Sequence, residues 1–139
     1  MGNIYALKGR ENCGKTETIK FVCQILVNKY KISQTQIQDF FPNTPDIKII
    51  LSGIKGMKIG IESQGDPKSR LEQSLKDFVN AGCDIIFCAC RTRGKTVQWI
   101  NSHKPKYTPF FTKQTIAAPA RQKQSNNNMA QQLIKQAGL

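Results

Sequence analysis

The sequence predicts an α/β fold, a three-layer sandwich on a mostly parallel five-stranded sheet with an antiparallel hairpin strand at its edge. Three observations point there. Short apolar runs of strand length alternate with segments whose apolar residues recur at helical spacing. The first run leads through a glycine-bearing loop directly into a helix. Two central runs are separated only by a glycine-bearing turn, the signature of a hairpin. The 139 residues suit one domain, 1–139, and no linker-like stretch divides them.

Asn3-Ile4-Tyr5-Ala6-Leu7 is a mostly apolar run suited to a buried strand. Ile19, Val22, Cys23, Leu26 and Val27 then predict an amphipathic helix over 16–29. The stretch 31–44 is polar and Gln-rich, around the apolar group Ile37, Phe40 and Phe41. Runs at 47–51 and 57–61, joined by Gly53-Ile54-Lys55-Gly56, form the hairpin. A helix follows over 67–81, with Leu71, Leu75, Phe78 and Val79 as its apolar stripe, Pro67 early and Gly82 as the stop. The apolar run within 83–90 suits a central strand. It opens into Arg91-Thr92-Arg93-Gly94-Lys95-Thr96, and a helix starts near Val97. A last strand spans 107–112. The polar stretch 113–128 reads as loop or mobile chain, before a closing helix carrying Ala130, Leu133, Ile134 and Ala137.

The loop Gly9-Arg10-Glu11-Asn12-Cys13-Gly14-Lys15-Thr16 fits G-x-x-x-x-G-K-[ST] at every fixed position. Gly9 and Gly14 allow backbone turns closed to other residues, so that successive N–H groups, those of Asn12 and Cys13 included, face inward as an anion nest. The helix start at Thr16 and Glu17 adds its dipole and unpaired N–H groups. Lys15, expected to face solvent or ligand, reaches β- and γ-phosphates, and the Thr16 hydroxyl ligates Mg²⁺. Glu62 ends an apolar strand and opens the polar run Glu62-Ser63-Gln64-Gly65-Asp66. Arg91 and Arg93, with Lys95, form a basic turn on the same sheet edge, suited to an anion. Gly94-Lys95-Thr96 does not repeat the loop motif, because Ala89 occupies the first glycine position.

Composition bounds the partners. No apolar stretch approaches the roughly 18 residues that span a membrane, and the N-terminus lacks a signal-peptide layout, so a cytoplasmic location is expected. Five cysteines without a regular framework suggest small buried thiols in a reducing compartment. The net charge of +12 is uneven, and residues 101–139 carry six basic and no acidic side chains. That C-terminal third offers a surface for nucleic acid or another anionic partner.

The loop, its flanking strand and helix, and Glu62-Ser63-Gln64-Gly65 resemble the P-loop NTPases, and within them the small GTPase-like arrangement. The resemblance covers about 112 residues and implies strand order 2-3-1-4-5. It implies that Glu62 supports Mg²⁺ through water, that Thr35 or Thr44 is a candidate for a second hydroxyl on the metal, that Gly65 contacts the γ-phosphate, that Gln64 or Asp66 orients an attacking water, and that Arg91 or Arg93 stabilises developing charge. Thr112-Lys113-Gln114-Thr115 lacks the carboxylate of the guanine-reading motif, so ATP is expected at least as much as GTP. The function implied is a Mg²⁺-dependent NTPase or nucleotide-controlled switch. The alternatives are a small phosphotransferase, with Glu62 or Asp66 as general base, and a nucleotide-controlled nucleic-acid module.

Overall fold

The computed structural model describes residues 2–139. Among them, one mixed sheet of six strands is flanked by four α-helices. The strands are β1 (Gly2–Lys8), β2 (Ile37–Asp39), β3 (Lys48–Ile54), β4 (Met57–Glu62), β5 (Ile85–Cys90) and β6 (Tyr107–Lys113). The helices are α1 (Lys15–Lys29), α2 (Leu71–Asn80), α3 (Lys95–Asn101) and α4 (Pro119–Gln136). In space the strands run β2-β3-β4-β5-β1-β6. β4, β5, β1 and β6 are mutually parallel, while β3 is antiparallel to both β2 and β4.

Strand alternation sorts the apolar side chains onto two faces. Tyr5, Leu7, Ile59, Ile61 and Phe87 pack with Ile19, Val22 and Leu26 of α1 and with Met129, Leu133 and Ile134 of α4. Ile4, Ala6, Ile86, Cys88 and Cys90 pack on the other face with Leu71, Leu75 and Phe78 of α2 and Ile100 of α3. Cys88 and Cys90, two residues apart, share that face as free, fully buried thiols. Gly60 has a packing reason, since a Cβ there would lie 2.7 Å from the Phe78 ring.

Four expectations need correction. The five expected strands are joined by a sixth, β2, which pairs with β3 at the edge. Their order is 2-3-4-1-5, not 2-3-1-4-5, because β5 pairs directly with β4 after the α2 crossover and separates it from β1. The second helix begins at Leu71, so Pro67 lies in the turn before it. The stretch 113–128 is largely helical, since α4 starts at Pro119. Its first half lacks an apolar stripe, but Gln122 and the buried Asn126 continue the line of Met129, Ala130 and Leu133 at helical spacing. Side-chain amides there hold the helix where apolar contacts hold its second half.

Candidate functional site

The C-terminal ends of β1, β4 and β5 open onto a cleft of about 550 Å³. One wall is the loop from Glu11 to Glu17, the other is Ser63–Asp66 with Asp46, Lys68 and Ser69, and Ala89 lies at the base. The strand order sets this geometry. With β5 between β1 and β4, the turn after Cys90 stands between the loop and the carboxylate-bearing segment.

The loop is shaped by two left-handed residues, Asn12 at φ 57° and Gly14 at φ 96°. Such reversals turn consecutive N–H groups to one side. Among the described residues, the Gly9 N–H donates to Cys90 O and the Thr18 N–H to Gly14 O, while the amides of residues 10–17 find no backbone acceptor. Those from Lys15 onward form the first turn of α1, whose dipole adds positive potential. Gly9 serves by close approach and not by a left-handed turn, because a Cβ there would lie 2.7 Å from Cys13 Sγ.

Lys15 lines the cleft but shows little of its surface. Its side chain is buried at 7% accessibility, and Nζ donates to the carbonyls of Gly9 and Cys90, the latter at 2.8 Å. Burial holds its pKa below the usual lysine value. The ammonium therefore rests at the base of the loop against two neutral acceptors.

Glu62 differs most from expectation. It is fully buried and outside the cleft lining. Its Oε1 accepts from Arg70 Nε at 2.8 Å and Ser74 Oγ at 2.6 Å, and Oε2 accepts from Arg70 Nη2 at 3.2 Å and the Gln64 N–H at 3.0 Å. With both oxygens so engaged, it fastens the end of β4 to the start of α2. The carboxylates at the cleft are Glu11, Glu17, Asp46 and Asp66. Asp46 accepts from Ser63 Oγ at 3.0 Å and Gln64 Nε2 at 3.3 Å.

Compared with family models, curated proteins and solved structures, the chain has no match. What the site can do follows from its own geometry. Thr16, Gln64, Gly65 and Asp66 line the cleft together with the loop. Gly65 lies against β5, where a Cβ would come within 2.5 Å of the Ala89 carbonyl. Arg91 does not line the cleft but bridges two carboxylates that do: its Nε donates to Asp66 Oδ1 at 3.0 Å, and its Nη2 lies 2.9 Å from Asp66 and 3.6 Å from Glu11. Arg93 is exposed and does not line the cleft. Thr35 bonds Ser33, Thr44 bonds the carbonyls of Phe41 and Asp46, and neither lines the cleft.

Sequence reasoning missed Asp46, Arg70 and the amides of α4. The hairpin register carried the signal for the first. Lys48 pairs with Glu62 in antiparallel strands, so residue 46 falls opposite residue 64. Of the basic residues in 101–139, Lys104 and Lys106 precede β6 and Lys113 ends it, about 20 Å away. Among the described residues, no helix is long and apolar enough to cross a membrane.

Proposed function

We propose that the chain binds a nucleoside triphosphate with Mg²⁺ in this cleft and hydrolyses it, either as a simple NTPase or as a nucleotide-controlled switch. One observation carries the reading: residues 11–17, whose amides are unspent in a loop with two left-handed turns and a helix start, line a cleft of nucleotide size. Phosphate oxygens supply the acceptors those amides lack. Lys15 exchanges its two carbonyl partners for phosphate oxygens, a charge-assisted and therefore stronger contact.

Among the described residues, no cluster of three or more His, Cys, Asp or Glu side chains is gathered for a metal. Mg²⁺ on a phosphate chain needs only one or two protein groups and keeps several waters. The Thr16 hydroxyl and the carboxylates of Asp46 and Asp66 fit that requirement, whereas Glu62 does not. Bound there, the metal would neutralise phosphate charge. Gln64, held by Asp46 and the Arg70 N–H, is the side chain placed to orient water. Arg91 reaches phosphate by leaving Glu11 and Asp66.

Phosphate release from Mg²⁺–ATP and Mg²⁺–GTP tests the proposal. The expected result is release that requires both Mg²⁺ and Lys15, lost in Lys15→Met and on chelation. Equal release by Lys15→Met would overturn hydrolysis at this loop. Diphosphate formed only when a hydroxyl acceptor is added would replace hydrolysis by phosphoryl transfer.

A further inference from the structure

A second cavity of about 310 Å³ lies between α1 and the start of α4, lined by Glu17, Phe21, Gln122, Lys123 and Asn126. Glu17 lines both this cavity and the main cleft, so the two meet at the first turn of α1. A ligand seated on the loop would meet this cavity where it passes that turn.

The amides of this cavity are fixed by their own hydrogen bonds. Asn126, 3% accessible, accepts at Oδ1 from Gln114 Nε2 at 2.9 Å and from Gln122 Nε2 at 2.7 Å. Gln122 Oε1 accepts from the Ala117 N–H at 3.1 Å, and Gln114 Oε1 accepts from Thr18 Oγ1 at 3.1 Å. The cluster also presses on the loop, since a Cβ at Gly14 would lie 2.8 Å from Asn126 Oδ1 and 2.9 Å from Gln122 Nε2. Both acceptor sites of Asn126 Oδ1 are spent, which leaves the Nδ2 donor as its capacity toward a ligand. Lys123 adds a second donor, and the Phe21 ring supplies an apolar flank.

We propose that Asn126, Lys123 and Phe21 form a nucleobase subsite that reads a pair of adjacent acceptors. Guanine presents such a pair, O6 and N7, where adenine presents N7 beside a donor amine. The subsite favours guanine over adenine, and it rests on the triphosphate reading of the loop. Base stacking or edge contact on Phe21 contributes to either base.

Calorimetric titration of the full chain with Mg²⁺–GTP, Mg²⁺–ATP and Mg²⁺–tripolyphosphate separates the subsite from the loop. Wild type is expected to bind GTP about tenfold or more tighter than ATP, the discrimination of one good bidentate contact. In Asn126→Asp, which replaces the free donor by an acceptor, the ratio of GTP to tripolyphosphate affinity should fall about tenfold. Phe21→Ala should lower the same ratio and does not disturb the amide network, so a folding defect in one variant leaves the other to decide. Equal binding of GTP and ATP by wild type, or an unchanged ratio in both variants, would overturn the subsite while leaving the loop reading intact. Failure of wild type to bind any of the three would overturn the loop reading and the subsite with it.

Discussion

Replacing Arg70 by Met separates a structural Glu62 from a metal-supporting one. Glu62 is inaccessible to water, and Arg70 gives it two of its four hydrogen bonds and its only ion pair among the described residues. Arg70→Met keeps the aliphatic stem but strands a buried carboxylate. Such a loss costs about 3–5 kcal/mol, roughly 10–20 °C in melting temperature for a chain of this size. Glu62→Gln should cost less, about 1–3 kcal/mol. Arg70 is 22% accessible and stacks over Phe41 at 4.4 Å, so it can turn toward water when its partner is lost. The double variant should recover much of the Arg70→Met loss, because no buried charge then lacks a partner. Urea unfolding followed by Trp99 fluorescence reads these differences through the midpoint at constant slope. An Arg70→Met cost below about 1 kcal/mol would refute the brace.

Gly65→Ala should destabilise the protein by about 1–3 kcal/mol and weaken nucleotide binding, since the new Cβ meets backbone atoms of Ala89 at 2.5 Å. Thermal melts and titration with Mg²⁺–GTP would show both, and a neutral result would mean that the segment relaxes away from β5. Alkaline pH should destabilise the chain through its buried thiols. Burial pushes Cys83 up to about 11 from 9.0, so the unfolded thiol loses its proton first and stability falls as pH rises from 9 towards 11. Between pH 8 and pH 10 this thiol should contribute a loss of about 1.4 kcal/mol. Cys83→Ala should show a correspondingly shallower decline in urea midpoints, and an identical decline would refute the assignment.

The parts of the fold written in local pattern were legible from sequence. The apolar runs of β1, β5 and β6, the helical spacing in α1 and the glycine-bearing turn between β3 and β4 each depend on nearby residues. Strand order does not. Whether β4 pairs with β1 or β5 is decided by long-range packing, and the apolar runs of β1 and β5 serve equally well in either arrangement. At the site, the loop was legible because its motif is contiguous. The roles of Glu62 and Asp46 were not, because Arg70 and Ser74 from α2 saturate the first and a strand pairing delivers the second. The first half of α4 escaped because Gln122 and Asn126 take positions where an apolar pattern is ordinarily sought.

The most direct measurement of the central claim is the affinity of wild type and Lys15→Met for a Mg²⁺–nucleoside triphosphate, with thermal melts in parallel. Cys90 O keeps the Gly9 N–H as a donor when Nζ is removed, so the variant should remain folded. A charge-assisted contact of about 1.5–3 kcal/mol predicts affinity weaker by roughly 10- to 100-fold. An unchanged dissociation constant in a folded Lys15→Met protein would contradict phosphate binding at the Gly9–Thr16 loop.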